Sequence, residues 1–279
     1  MTNDRADAWL ASGMEPEIVD ATGRSPVILH APHGSTRIPS VYRAQFTIDD
    51  AALAREVGAL TDHAVDRMVR RALDTVDASA VIAQISRLVV DVERFDGDGE
   101  EMSAVGMGVL YTHGAWRDRI RELPDAARTE LMQHFERYSL AFEQLVDRAL
   151  KVHGRAVILD VHSYASRALP YELHAGDRRP PLCVGYDERH MTPSLLGHVR
   201  ETFGHLEIVV NEPFAGAYVP LKHLGRDVRV ESVMLELRRD HYMDEATREV
   251  GAAAVNALAE RIARVARSVD RDSCSEARR

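Results

Sequence analysis

The chain reads as a single α/β domain, and three features of the sequence predict it. Short apolar runs alternate with longer amphipathic segments, the order expected of strands separated by helices. Several runs are apolar without a break, as in Val157-Ile158-Leu159, which suits strands covered on both faces. The 279 residues are 45% hydrophobic and 28% charged, enough to bury a sizeable core. No repeat, low-complexity block or Pro/Gly/Ser-rich linker divides them, so one domain over residues 1–269 is expected.

Taken in order, strands are expected over residues 26–31, 80–85, 88–92, 156–161, 181–186, 206–210 and 230–237. Helices fill the gaps. Over 50–73, Leu53, Val57, Leu60 and Met68 recur at helical spacing. Over 125–152, Leu131, Phe135, Phe142, Leu145 and Ala149 share one face, and Gly154 supplies the stop. A last helix over 244–269 aligns Val250, Ala254, Leu258, Ile262 and Val265. The charged, serine-containing residues 270–279 read as a frayed tail.

Composition also limits the function classes. Lys plus Arg is 35 against 44 Asp plus Glu, and the net charge of −9 argues against a broad nucleic-acid footprint. No apolar run approaches the roughly 20 residues needed to span a bilayer. The polar stretch from Met1 to Leu10 lacks the apolar core of a secretory signal. The 2 cysteines, Cys183 and Cys274, form no C-x-x-C pair, and Cys183 sits in the apolar run Leu182-Cys183-Val184 as a buried strand residue. A cytoplasmic protein is the expectation.

Several familiar motifs are missing. There is no H-E-x-x-H, no G-x-x-x-x-G-K-[ST] and no G-x-S-x-G. Gly106-Met107-Gly108 lacks the third glycine of a dinucleotide fingerprint. The acidic run from Asp96 to Glu101 fails the EF-hand spacing and reads as a solvated turn.

Two histidines stand out among the 13. The strand over 26–31 runs into Pro32-His33-Gly34-Ser35, and the strand over 156–161 runs into His162-Ser163. Catalytic groups of open α/β sheets gather at the carboxyl ends of strands. A neutral imidazole is a good zinc ligand, and a catalytic zinc site needs a third protein ligand, another histidine or a carboxylate. Two unrelated loop histidines are the alternative.

Further segments give these histidines a context. His30-Ala31-Pro32-His33-Gly34-Ser35-Thr36-Arg37-Ile38-Pro39, Asp160-Val161-His162-Ser163-Tyr164 and Asn211-Glu212-Pro213-Phe214-Ala215-Gly216-Ala217-Tyr218 occur in that order. With Arg87-Leu88-Val89-Val90-Asp91-Val92-Glu93-Arg94 and Leu235-Glu236-Leu237-Arg238 before Tyr242-Met243, the set resembles the N-formylglutamate amidohydrolase family. The resemblance extends from about His30 to Met243, most of the chain. It implies a zinc-carboxypeptidase-like fold with a mixed central sheet, and metal-assisted hydrolysis of a linear amide. The implied substrate is a small N-acylated, acidic amino acid, N-formylglutamate in the named case.

The resemblance also implies roles. His33 and His162 would hold zinc, with Asp62 as third ligand and His63 as its competitor. Zinc carboxypeptidases often carry the carboxylate ligand three residues after the first histidine, and that position here is Thr36. Glu236 would be the general base, or else a strand-end carboxylate paired with Arg238 or Arg239. Arg94, with Arg87 and Arg37, would form the anion pocket, since a guanidinium grips a carboxylate through two parallel bonds. Asn211, Tyr218 and His223 would contact substrate, although Asn-x-Pro beside a glycine is also ordinary turn chemistry. The family commonly carries Asn where this chain has Glu93, which changes the charge beside Arg94. A hydrolase for a different acyl amino acid or a peptide, or a binding protein without turnover, are the alternative readings.

Overall fold

In a computed structural model, residues 13–21, 23–97 and 99–276 are described. Strands β1 (Glu17–Val19), β2 (Val27–Ala31), β3 (Ser79–Ile82), β4 (Ala156–Tyr164), β5 (Leu182–Gly185), β6 (Ile208–Val210) and β7 (Val230–Arg238) form one sheet. Its order is β1-β3-β2-β4-β7-β5-β6. The inner strands β3, β2, β4 and β7 are mutually parallel, while β1 and the β5–β6 pair run the other way. This is the mixed sheet that was expected.

The pleat sorts the residues of the inner strands between two layers. Val157, Leu159 and Val161 of β4, with Val233, Leu235 and Leu237 of β7, enter the core on one face. That core is completed by α3 (Val65–Leu73), α5 (Pro193–Phe203) and α6 (Ala252–Glu276). Ala156 and Ile158 of β4, Ile28 of β2 and Val230 of β7 take the other face, against α4 (Asp125–His153). Burial of each such Val, Leu or Ile side chain contributes about 1.5–3 kcal/mol. Because side chains alternate with a period of two, His30, Asp160, His162 and Glu236 fall on the α4 face, beyond its apolar part. The sheet thus carries a dry end and a polar end on one face.

The structure corrects several expectations. Residues 88–92 are not a strand: the run is buried, but its carbonyls at Leu88 and Val89 accept from the guanidinium of Arg121 at 2.9 and 2.8 Å. A fully buried arginine does there what a neighbouring strand would do. The helix expected over 50–73 is two helices, α2 (Asp50–Leu60) and α3, after the four-residue α1 (Ser40–Arg43). Between them Thr61 is extended (ψ 136°) and Ala64 is left-handed (φ 64°). Strand β4 runs three residues past the expected end, so His162 lies within the strand. The last helix begins at Ala252 because Asp244 turns the preceding loop, accepting from the amides of Ala246 and Thr247 at 2.8 and 2.9 Å.

The tail was expected to fray from Asp270, yet α6 continues to Glu276, and Asp270 accepts from Ser25 at 2.6 Å. Residues 277–279 and the N-terminal stretch Met1 to Leu10 lie outside the described residues. In the acidic turn Asp98 does too, while Glu100 accepts from the amides of Phe95 and Met102 rather than facing a cation site. Among the described residues no helix is long and apolar enough to cross a membrane.

Candidate metal centre

The break between α2 and α3 carries Asp62 to the sheet. The Asp62 amide donates to the carbonyl of His33 at 3.0 Å, tying the helix break to the turn that leaves β2. His33 follows β2 by two residues, and Gly34 fits beneath it because a Cβ there would stand 2.9 Å from that of Asp66. His162 rises from β4 on the same face. All three side chains are buried.

Their polar atoms converge. His33 Nδ1 lies 3.3 Å from His162 Nδ1, and Asp62 Oδ2 is 3.1 Å from His162 Nδ1 and 3.7 Å from His33 Nδ1. The opposite ring nitrogens are engaged by carboxylates. His33 Nε2 meets Asp91 Oδ1 at 2.8 Å, and His162 Nε2 meets Asp160 Oδ1 at 3.0 Å and Glu93 Oε1 at 3.1 Å. A carboxylate only accepts, so each Nε2 carries a hydrogen, and a neutral imidazole so held turns the lone pair of its Nδ1 towards Asp62, while a protonated one donates to it there. Two lone pairs and a carboxylate oxygen repel one another unless a cation, a proton or a metal ion, sits among them. Zinc bonds of about 2.0–2.1 Å to N and O would set tetrahedral ligands roughly 3.3 Å apart. The observed separations match, so these residues fit zinc.

The same crowding governs the titration of the cluster. Burial opposes charging of His162, but Glu93 and Asp160 outweigh it and raise its pKa well above the ordinary value. Burial and Arg87 oppose charging of His33; Asp91 and Asp62 overcome them and raise it. Burial works against ionisation of Asp62, yet its bonds to His162 and His33 hold it below the usual carboxylate range. A site that gathers positive charge this strongly is prepared for a cation.

Each of the three converging side chains has an outer partner. Asp91 accepts from Arg87 Nη2 at 2.7 Å and Tyr111 OH at 2.6 Å, besides facing His33. Asp160 meets His30 Nδ1 at 2.8 Å and accepts from the Tyr218 amide at 3.1 Å; His30 Nε2 in turn meets Tyr138 OH at 2.9 Å. Arg239 anchors Asp62: Nη2 reaches Asp62 Oδ1 at 3.3 Å, and Nη1 donates to the Ala59 carbonyl at 2.8 Å. Arg239 and Asp160 were not expected as site residues. Asp160 was legible, since residues i and i+2 of a strand share a face; Arg239 reaches Asp62 only through the fold. Removing an outer partner commonly costs 10–100-fold in metal affinity. Arg239→Ala should raise the zinc dissociation constant by about that factor, with part of the loss recovered in Arg239→Lys, as read by competition with a chelating dye.

Glu236 stands opposite His162 in the β4–β7 register. It is 8% exposed, and its Oε2 has no hydrogen-bond partner among the described residues. Burial pushes its pKa up to about 7, with His162 working against the rise. The expected alternative partners are occupied elsewhere, Arg238 with Asp240 and Arg239 with Asp62. His63 is turned from the cluster and bonds the Gly58 carbonyl at 2.8 Å, leaving Asp62 as the third converging ligand.

The remaining expected residues divide. Arg94 approaches Asp91 at 3.4 Å and Glu100 at 3.8 Å, with its side chain still 24% exposed towards a cavity. Arg87 is committed to Asp91 and Tyr111, so it braces the centre from behind. Tyr218 stacks on Phe142 and lines that cavity. By contrast Arg37 is exposed and donates to the Gly13 carbonyl. Asn211 spends its side chain on backbone, bonding the Tyr186 amide and carbonyl after β5 and the Gly216 amide of its own loop, the last being the turn reading. His223 faces Asp147 at 3.0 Å, by a separate surface hollow. Cys183 is buried as expected, and burial pushes its thiol up to about 11.

The N-formylglutamate amidohydrolase family profile matches residues 25–243. A crystal structure of N-formylglutamate amidohydrolase from Ralstonia eutropha JMP134 superposes with a TM-score of 0.74 at 22% identity, covering 91% of this chain and 99% of that one. A protein of Agrobacterium tumefaciens superposes at 0.66 with 16% identity, covering 97% and 98% of the two chains. These neighbours share the fold, a mixed sheet flanked by helices. A sequence comparison with curated proteins finds no match. The profile spans most of the chain and all the residues of the buried centre, so the protein belongs to the N-formylglutamate amidohydrolase family and is a hydrolase acting on amides.

Proposed function

We propose that the protein is a zinc-dependent amidohydrolase that cleaves the linear amide of an N-acylated acidic amino acid, with formyl as the acyl group. The observation that carries the proposal is the convergence of His33 Nδ1, His162 Nδ1 and Asp62 Oδ2 beside the unpartnered carboxylate oxygen of Glu236. When bound, zinc lowers the pKa of a water and polarises the scissile carbonyl.

The chain's own residues do the rest. Glu236, ionised above about pH 7, accepts the proton of the attacking water at its free Oε2 and then delivers it to the leaving amine nitrogen. Asp91 and Asp160 hold the two imidazoles in one tautomer, so no donor N–H faces the cation. Every acyl amino acid carries an α-carboxylate, and we assign it to the exposed portion of the Arg94 guanidinium. Tyr218 closes the same side.

A cytoplasmic setting belongs to the same proposal and is supported by the free, buried thiol of Cys183. The test is metal content together with formate release. About one zinc per chain and zinc-dependent formate release from N-formyl amino acids are expected. A folded protein that neither takes up zinc nor releases formate from any of them would refute the reading.

A further inference from the structure

The run from Arg87 to Arg94 supplies much of the surroundings of the metal centre. Arg87 and Asp91 stand behind His33, Glu93 meets His162 Nε2, and Arg94 faces the neighbouring cavity. No strand ladder holds this run, although Leu88, Val89, Val90 and Asp91 are at most 1% exposed, so water cannot serve their backbone. The Ser86 amide donates to the Arg37 carbonyl at 2.8 Å, and the Asp91 amide to the Val109 carbonyl at 2.8 Å. Between those two points the carbonyls of Leu88 and Val89 rest on Arg121 Nη1. Arg121 is itself held from behind. Its Nε and Nη2 donate to Gln45 Oε1, its guanidinium lies 5.1 Å from the centre of the Phe46 ring, and its backbone pairs with that of Phe46. Burial pushes the Arg121 pKa down to about 10, so the side chain is still a cation at neutral pH. A buried cation whose bonds all go to neutral groups is costly to keep. Its fork accounts for it: one planar group spans Gln45 on one side and two successive carbonyls on the other, a reach that a single ammonium nitrogen does not match.

We propose that Arg121 is a positioning residue of the metal centre: by fixing the Leu88 and Val89 carbonyls, it sets where Asp91 meets His33 and where Arg94 meets the substrate. It does so without touching zinc ligand or substrate. The Arg94 half of the proposal rests on the amidohydrolase reading above, whereas the Asp91 half needs neither metal nor substrate. Without the guanidinium, two buried carbonyls lose their partner, and the run must shift to recover one. Asp91 follows Val89 by two residues and Arg94 by five, so both move with it. A displacement of about 1 Å far from the chemistry is enough to cost up to 10²-fold.

The experiment compares Arg121→Ala and Arg121→Lys with Ile262→Ala, a core truncation in α6 on the other face of the sheet that serves as a control for lost stability. In Arg121→Ala the zinc dissociation constant and the KM for N-formylglutamate are each expected to rise about tenfold, with kcat at saturating zinc within about threefold of wild type. Arg121→Lys should fall between the two, and Ile262→Ala should lower Tm with both constants unchanged. A rise of less than about threefold in either constant overturns the proposal and leaves the amidohydrolase reading intact. If Arg121→Ala does not fold, Arg121→Lys is judged by the same limit. The hydrogen on His33 Nε2, held by Asp91 at 2.8 Å, gives a separate readout in the metal-free protein. Its downfield proton resonance should be lost to solvent exchange in the Arg121 variants and stay sharp in Ile262→Ala. If the protein neither binds zinc nor turns over a formyl compound, the amidohydrolase reading fails and this resonance decides: its loss supports the positioning role, and its survival overturns it.

Discussion

Glu236→Gln is expected to lower kcat by about 10²–10⁴-fold, the usual worth of a positioned general base, while the protein still binds zinc. The amide cannot take a proton from water, yet it keeps the size of the carboxylate in a strand buried from Val230 to Leu237. The pH dependence carries the second half of the prediction. Burial raises the Glu236 pKa to about 7, so below that pH the group is protonated and cannot act as a base. Activity of the wild-type enzyme should therefore rise as pH increases through about 7, and this acid limb should vanish from the residual activity of the variant. An unchanged kcat, or an acid limb that survives the substitution, would remove Glu236 from the chemistry. The linkage to stability has the opposite sign. A carboxyl whose folded pKa lies above its ordinary 4.5 disfavours the folded state once it must ionise, so its cost grows as pH rises between those values.

His162→Ala should weaken zinc binding by more than the 10–100-fold typical of an outer partner, because a ligand is lost outright. The readout is bound metal per chain and the rise in Tm on adding zinc. In the wild type, zinc at a hundred times its dissociation constant stabilises the fold by about 2.7 kcal/mol, whereas the variant should show almost no rise. Removing the imidazole also leaves Asp62, Asp160 and Glu93 facing one another, so a folded variant is confirmed first by circular dichroism. Asp62→Asn offers an alternative that keeps both histidines and the bonds of their Nε2 atoms to Asp91, Asp160 and Glu93. It should lose zinc as well, whereas Arg37→Ala should not, since Arg37 is turned to the backbone of Gly13. Zinc retained by both ligand variants would mean that the metal binds elsewhere.

The alternation of apolar runs with helical stripes was enough for the fold class, since burying both faces of a parallel strand demands such runs. Val157-Ile158-Leu159 and the face from Leu131 to Ala149 could have become little else. The histidines at both sheet exits and the carboxylate of Glu236 in its apolar strand were also legible in the sequence, and the fold brings them together. It misled at residues 88–92, because periodicity reports burial and not the partner that satisfies the backbone. There the partner is Arg121, distant in sequence. It misled again over 50–73, where a helical stripe persists across a break that serves Asp62.

The choice of Asp62 over its neighbour His63 could only be made in three dimensions. Adjacent residues in the break point in different directions, and local pattern does not say which one faces β4. Arg239 likewise becomes a bracing residue because β7 ends beside the break. Arg37, Asn211 and His223 follow the same logic in reverse: each lies in a segment that matches the family, but its side chain is consumed by nearby groups. The sequence by itself therefore determined the layers, the family and the types of ligand, through burial periodicity and local chemistry. Tertiary structure decided which carboxylate converges with the two histidines and which arginine contacts it, because those depend on side-chain direction between segments far apart in the chain.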